Sequence, residues 1–246
     1  VSASAAVLKA ESRLFAREPF SLFWIVVFPT LLLVILGLIP SFREPSDDLG
    51  GNRVIDVYVP VSVLLALIMA GVQALPPVLS GYRERGILRR MSTTPVRPGS
   101  LLAAQIVLHF AAATGSALLV IAVGRLVFDV PLPGHPAGYL LALLLGGLSA
   151  LALGATVTAV TPTTKATTVV GSIVFFPSMF LAGVWVPVQA MPGALRGVVE
   201  YLPFGAASQA LNQAAGGDWP DWTHLGVTAV WAALLIAAAV RWFRWE

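Results

Sequence analysis

No cysteine occurs among the 246 residues. Disulfide frameworks, thiolate metal sites, Fe–S clusters and cysteine nucleophiles are therefore excluded. Charge is scarce too: Asp, Glu, Lys and Arg make up 11% of the chain, against roughly 25% in a soluble globular domain. The only lysines are Lys9 and Lys165, preceded by Leu8 and Thr164. Neither is the lysine of a GxxxxGK[ST] phosphate loop, so any ATP that drives this protein binds to another chain. No serine sits in a GxSxG setting. His109, His135 and His224 are far apart and form no HExxH. No catalytic, metal-binding or cofactor-binding residue is read from this chain.

What is abundant is hydrocarbon: 57% of residues are hydrophobic and the mean hydropathy is +0.85. A spanning helix needs roughly 20 mostly apolar residues to cross about 30 Å. Six stretches qualify: 20–39, 58–79, 101–124, 139–160, 168–186 and 225–245. The expected fold is all-α, a polytopic membrane protein with residues 1–246 as one transmembrane domain. Glu18 and Pro19 precede a full-length span, so the start does not read as a cleavable signal.

The basic pI near 9.7 arises from a net charge of only +3. Six spans put both termini on one side. With the 80–100 and 161–167 loops, that side holds Lys9, Arg13, Arg17, Arg83, Arg85, Arg89, Arg90, Arg97, Lys165, Arg241 and Arg244. The other side holds Arg43, Arg53, Arg125 and Arg196. Short basic loops stay cytoplasmic, which predicts cytoplasmic termini in a plasma (inner) membrane protein. A nucleic-acid partner needs basic residues massed on an exposed face, whereas the largest cluster here is five arginines beside the membrane. No nucleic-acid partner is expected; membrane lipid is.

Lys9, Arg13 and Arg17 recur every four residues, opposite Val7, Leu8, Leu14 and Phe15. Residues 1–18 therefore read as an amphipathic interfacial helix or as a plain positive flank. Glu11 falls on the apolar side and predicts a basic partner on another element. In the second span, Pro76 and Pro77 remove backbone donors and clash with the carbonyls of Val72 and Gln73. The resulting kink, carrying Gln73, either lines a path for cargo or is a structural bend. Ala150, Gly154 and Thr158 allow close helix approach, within the chain or between subunits. Trp24, Trp185, Trp242 and Trp245 read as interfacial anchors. His109 reads as a packing histidine, and Arg125 and Asp129 as a structural pair at the outer end of the third span.

The stretch Gly81-Tyr82-Arg83-Glu84-Arg85-Gly86-Ile87-Leu88-Arg89-Arg90-Met91 is short, basic and amphipathic. The segment Ser92-Thr93-Thr94-Pro95-Val96-Arg97-Pro98-Gly99-Ser100 then stops any helix, with Ser100 as the expected N-cap of the third span. Segment 80–105 resembles the cytosolic loop of type-2 ABC exporter permeases, a family that includes daunorubicin-type drug exporters and O-antigen and teichoic acid exporters. A second likeness lies in Phe180-Leu181-Ala182-Gly183-Val184-Trp185-Val186-Pro187, Met191-Pro192 and Tyr201-Leu202-Pro203-Phe204. These look like that family's end of span five and its extracellular re-entrant segment. The drug-exporter branch is the nearest likeness, and Ile87 departs from it where many members carry Thr.

The resemblance implies that residues 81–91 form a coupling helix seated on a separate ABC ATPase subunit. Arg83, Glu84, Arg85, Gly86, Ile87, Leu88, Arg89 and Arg90 would carry that contact, and ATP and Mg would sit on the partner. Residues 187–221 would form the re-entrant hairpin, although their apolar composition also suits an amphipathic loop resting on headgroups. Gln73, Pro76, Pro77, Met191, Pro203 and Phe204 are the candidates for the translocation path or gate. The 161–167 loop is either a second ATPase contact or a plain helix connection. The expected function is the permease subunit of an exporter for a hydrophobic or amphiphilic substrate (drug, lipid or glycolipid), paired with a second protomer as a homo- or heterodimer. The rival is an ATP-independent carrier or channel. It lacks the expected intramembrane carboxylate and an inverted repeat between the halves.

Overall fold

The structure is a computed structural model that describes residues 3–92 and 98–242. In chain order the helices are α1 (Ala3–Phe15), α2 (Pro19–Gly37), α3 (Val54–Glu84), α4 (Ile87–Ser92), α5 (Pro98–Phe128), α6 (Pro136–Val160), α7 (Thr164–Leu181), α8 (Gly193–Val199), α9 (Pro203–Gly216) and α10 (Trp222–Trp242). Six of them (α2, α3, α5, α6, α7 and α10) are long and apolar enough to cross a membrane. Among the described residues there is no β-strand, and the chain is an all-α polytopic membrane protein.

α3 is the pillar. Its most apolar window is 89% buried, against 22% for α2 and 28% for α5, α7 and α10. Lipid solvates apolar side chains as well as a core does, so helices are drawn together by close packing and polar contacts. Glycines permit that packing here. A methyl group on Gly154 of α6 would overlap the Gly71 carbonyl of α3, and one on Gly71 would overlap the Ala150 backbone. The small-residue stripe of α6 therefore serves packing within the chain. On another face of α6, Ser149 and Thr156 donate to the Thr228 and Leu235 carbonyls of α10, at 3.2 and 2.9 Å.

Prolines shape the spans in an unexpected way. A wide π turn, Met69–Ala74, precedes Pro76 and Pro77, and another, Phe23–Val27, precedes Pro29. A π turn shifts the hydrogen-bond ladder by one residue, which makes room for a ring that has no N–H to offer. Helix bounds also move relative to the sequence reading. α5 starts at Pro98, where a missing N–H costs nothing, so Ser100 lies inside the helix and is not its cap. α7 stops at Leu181 because Gly183 takes φ +87.

At the outer end of α3 and α5, the Arg53 guanidinium bonds Asp56 at 2.6 Å and the carbonyls of Phe128 and Asp129, each at 3.2 Å. Arg53 thus takes the role expected of Arg125: among the described residues no Arg125–Asp129 ion pair forms.

Residues 187–221 form a helical hairpin whose second arm, α9, packs against α6, α10 and α3. The α9 C-terminus lies level with the start of α6, where Gly134 and His135 N–H donate to Ala215 and Ala214. The other end of the hairpin is deep: Trp231 Nε1 donates to the Tyr201 carbonyl at 3.0 Å. Trp231 stands nine residues beyond Trp222, roughly 14 Å down α10 at 1.5 Å per residue. Leu202-Pro203 makes the tip, and Gly205 lets α9 press against the Val199 carbonyl.

Candidate functional site

The last turn of α3 sends three consecutive side chains to different neighbours, because successive helical residues are about 100° apart. Tyr82 turns inward. Its hydroxyl donates to Glu11 of α1 at 2.6 Å, Gln105 of α5 donates to the same carboxylate oxygen at 2.6 Å, and Gln105 also reaches the Tyr82 oxygen at 3.1 Å. Glu11 is only 8% exposed. The basic partner expected for it is replaced by two neutral donors, the Tyr82 hydroxyl and the Gln105 amide. Half-buried Val7 and buried Glu11 and Phe15 form the inward stripe of α1, spaced by one turn, while Leu8 and Leu14 are exposed. Phe15 meets His109 edge-on at 5.0 Å one turn above the Glu11–Gln105 contact, so α1 is keyed to α5 in register. Beneath the triad, Tyr82 and Leu101 pack with Val7, Val78, Ile87 and Met91.

Arg83 and Glu84 face the α6–α7 turn, and here the helix ends explain the choice of charge. The Thr158 carbonyl of α6 would normally accept from residue 162, but that residue is Pro162 and has no N–H. Arg83 supplies the missing donor at 3.0 Å and also bonds the Thr161 carbonyl. A cation thus meets the negative end of the α6 dipole. Glu84 accepts from the Thr164 N–H at 2.9 Å and its hydroxyl at 2.6 Å, at the first residue of α7. There an anion meets the positive end of the next dipole. Thr163 caps the same helix by accepting from Ala166 N–H at 3.1 Å.

The next residues leave the helix. Gly86 takes φ +65, a conformation that costs glycine nothing, and α4 follows as a separate short helix. The continuous helix expected over 81–91 is thus two pieces: Arg83 and Glu84 belong to α3, and Ile87, Arg90 and Met91 to α4. Arg85 is exposed, with its guanidinium 5.5 Å over the Tyr82 ring and its Nε on the Gly81 carbonyl at 3.0 Å. Arg90 reaches the Arg85 carbonyl at 3.0 Å. The side chains of Leu88 and Arg89 fall outside the described residues, as do Thr93 to Arg97, Arg244 and Trp245.

The six path candidates fall into two groups. Gln73, Pro76 and Pro77 sit at and below the π turn of α3, with Pro76 buried and Gln73 and Pro77 half-buried. Gln73 lies nineteen residues below Val54, roughly 28 Å along α3. Met191, Pro203 and Phe204 belong to the hairpin. Met191 packs with Val188 and Val199, and Phe204 lies in the main core at 1% exposure. The two groups do not form one constellation.

A polar network that sequence reasoning missed runs through the hairpin. Glu200 accepts from Arg196 Nε and Gln209 Nε2, each at 2.6 Å, and Gln209 accepts from Gln189 at 2.9 Å. Both donors reach the same carboxylate oxygen, so Arg196 and Gln209 fix the Glu200 side chain between α8 and α9. The buried triad was also missed. Its available signals were a carboxylate at i+4 from Val7 and i−4 from Phe15, and a lone glutamine within the apolar third span.

The model of the ABC-2 family transporter protein matches residues 42–241. The chain belongs to this family and is a multi-pass membrane subunit, a permease of an ABC transporter, whose nucleotide-hydrolysing subunit is a partner chain. Comparison with curated proteins finds no match.

Proposed function

We propose that this chain is the membrane half of an exporter, moving a hydrophobic or amphiphilic substrate (drug, lipid or glycolipid) outward across the plasma membrane, in the manner of the daunorubicin-type branch. Both termini and the α3–α4 turn face the cytoplasm. Two copies, or this chain and a related one, enclose the path, and each binds one ATPase that carries ATP and Mg. Arg85, Gly86, Ile87, Leu88, Arg89 and Arg90 form the docking segment, while Arg83 and Glu84 join it to the bundle.

The observation that supports this reading is the pair of capping contacts made by Arg83 and Glu84. They attach one short turn to the ends of two further spans, so a push on α4 displaces α3, α6 and α7 together. Tyr82 extends the same connection to α1 and α5. Residues Gln73, Pro76 and Pro77, at the wide turn of α3, serve as the flexing point. Met191, Pro203 and Phe204 hold the outer hairpin as the gate.

The test is co-purification with the ATPase, followed by cargo-stimulated ATP hydrolysis and transport in vesicles. Arg85→Ala is expected to weaken recruitment, and Glu84→Ala to lower coupled turnover with recruitment retained; both should insert normally. Full transport by the permease alone, without an ATPase, would overturn the reading.

A further inference from the structure

A second feature lies on the face shared by α3, α5, α6 and α10. Spans α6 and α10 are laced by Ser149 and Thr156 along one side. On the other side the small residues Ala152, Ala155 and Ala239 leave a crevice of about 320 Å³. Its floor is buried: Leu79, Leu151, Ala152 and Ala239. Its rim stands open: Ile106, Leu148, Ile236 and Val240 are 38–76% exposed. Every lining residue is apolar, and the crevice runs from Leu148, mid-way along α6, toward the end of the bundle that carries α4.

Charge marks that lower mouth. Arg241 follows Val240 directly and is exposed. Arg83 lies one turn below Leu79 on α3, on the Thr158 and Thr161 carbonyls one to two turns below Ala155. Its direct hydrogen-bond partners are neutral carbonyls, and the neighbouring Glu84 carboxylate, which also acts on it, is bonded to Thr164. An apolar slot in the span region, with Arg241 one residue past its last lining residue and Arg83 one turn below Leu79, suits a lipid with an acyl chain and an anionic headgroup. A basic pocket between helices at the cytoplasmic side is the established setting for such headgroups.

From this juxtaposition we infer that the crevice between α5, α6 and α10 holds one acyl chain of an anionic phospholipid of the cytoplasmic leaflet, with its phosphate beside Arg241 and Arg83. The leaflet assignment rests on the orientation proposed above; the site does not. Residence comes from shape and headgroup charge, because the chain leaves one hydrocarbon surrounding for another. The bound lipid occupies the wall between α5 and α10 as a fixed structural component, separate from cargo.

The test uses the full chain in phosphatidylcholine vesicles containing a small fraction of phosphatidylglycerol with a photoactivatable group at its tail end. Adducts are mapped by peptide mass. They are expected to concentrate on the peptides of Ile106, Leu148 and Ile236, and to exceed those of a phosphatidylcholine probe. Ala152→Trp should cut this labelling about tenfold by filling the slot, whereas Ile173→Trp, exposed on α7, should not. Arg241→Gln should lower phosphatidylglycerol labelling about fivefold, the effect of one interfacial cation, and leave the phosphatidylcholine probe unchanged. Uniform labelling of all exposed faces would overturn the proposal, as would equal labelling by the two probes or copy-to-copy cross-links through Leu148. The wild-type ratio of the two probes needs no variant, so a misfolded mutant leaves the test intact. No ATPase or cargo enters the measurement, so its failure is distinguishable from failure of the transport reading.

Discussion

The two ends of the bundle use the same side-chain chemistry at different ranges along the chain. At the hairpin end, Glu200 is held by Arg196, four residues away, and Gln209, nine residues away. At the α3–α4 end the partners are distant: 71 residues separate Tyr82 from Glu11, 94 separate Gln105 from Glu11, 75 separate Arg83 from Thr158 and 80 separate Glu84 from Thr164. Arg83 and Glu84, adjacent in sequence, each bind a different helix terminus. Local side-chain bonds fix the shape of the hairpin around Glu200, while α9 itself is anchored in the core through Phe204 and the Gly134 and His135 bonds. Long-range bonds make the opposite end a junction, so that moving one element moves five.

The largest disruption of this contrast is expected from Gly154→Val. Its side chain meets the Gly71 backbone, which cannot rotate away, so the cost should be about 3 kcal/mol. A lowered unfolding midpoint in detergent, with faster hydrogen exchange at both ends, checks this; Gly205→Val should loosen the hairpin alone. An unchanged midpoint for Gly154→Val would show that α3 and α6 do not cross as described.

Tyr82→Phe removes one of two donors from a buried carboxylate and should cost about 1–2 kcal/mol. Exchange should rise in α1 and the start of α5 while the hairpin keeps its protection. Equal loosening at both ends would contradict the separation.

Glu200→Gln removes the charge that Arg196 and Gln209 hold at 2.6 Å. Protection from exchange across 193–216 should fall in this variant while α1 and the start of α5 keep theirs. Unchanged protection in the hairpin would remove Glu200 from this role.

The smallest effect on stability is expected from Glu84→Gln, which keeps an acceptor for Thr164 at an exposed position; the unfolding midpoint should shift by no more than the scatter of replicate melts. A midpoint shift several times larger would mean that the α3–α7 contact carries more of the fold than its exposure suggests.

Much of the architecture was legible because hydrophobic runs are local. Five of the six spans are visible as uncharged stretches and the sixth as one charged only near its C-terminal end, at Arg241 and Arg244. The Gly86 break was within reach as well, since a glycine in a polar helix is a known weak point. Other features depend on the opposing helix. Nothing near Thr158 announces that Pro162 orphans its carbonyl toward Arg83, and the prolines of α3 alone do not choose between a kink and a π turn. The partner of Glu11 was misread because a charge suggests an opposite charge, whereas burial here is satisfied by a phenol and an amide.

Local composition alone was enough to establish a membrane protein of six helices, because the free energy of placing some twenty apolar residues in hydrocarbon is summed along the chain. Tertiary structure decided which polar groups meet, that α3 is the buried pillar, and that a crevice opens between α5, α6 and α10. Those outcomes depend on side-chain volume and unpaired backbone groups at crossings between residues distant in sequence. Such quantities exist only once the helices have packed.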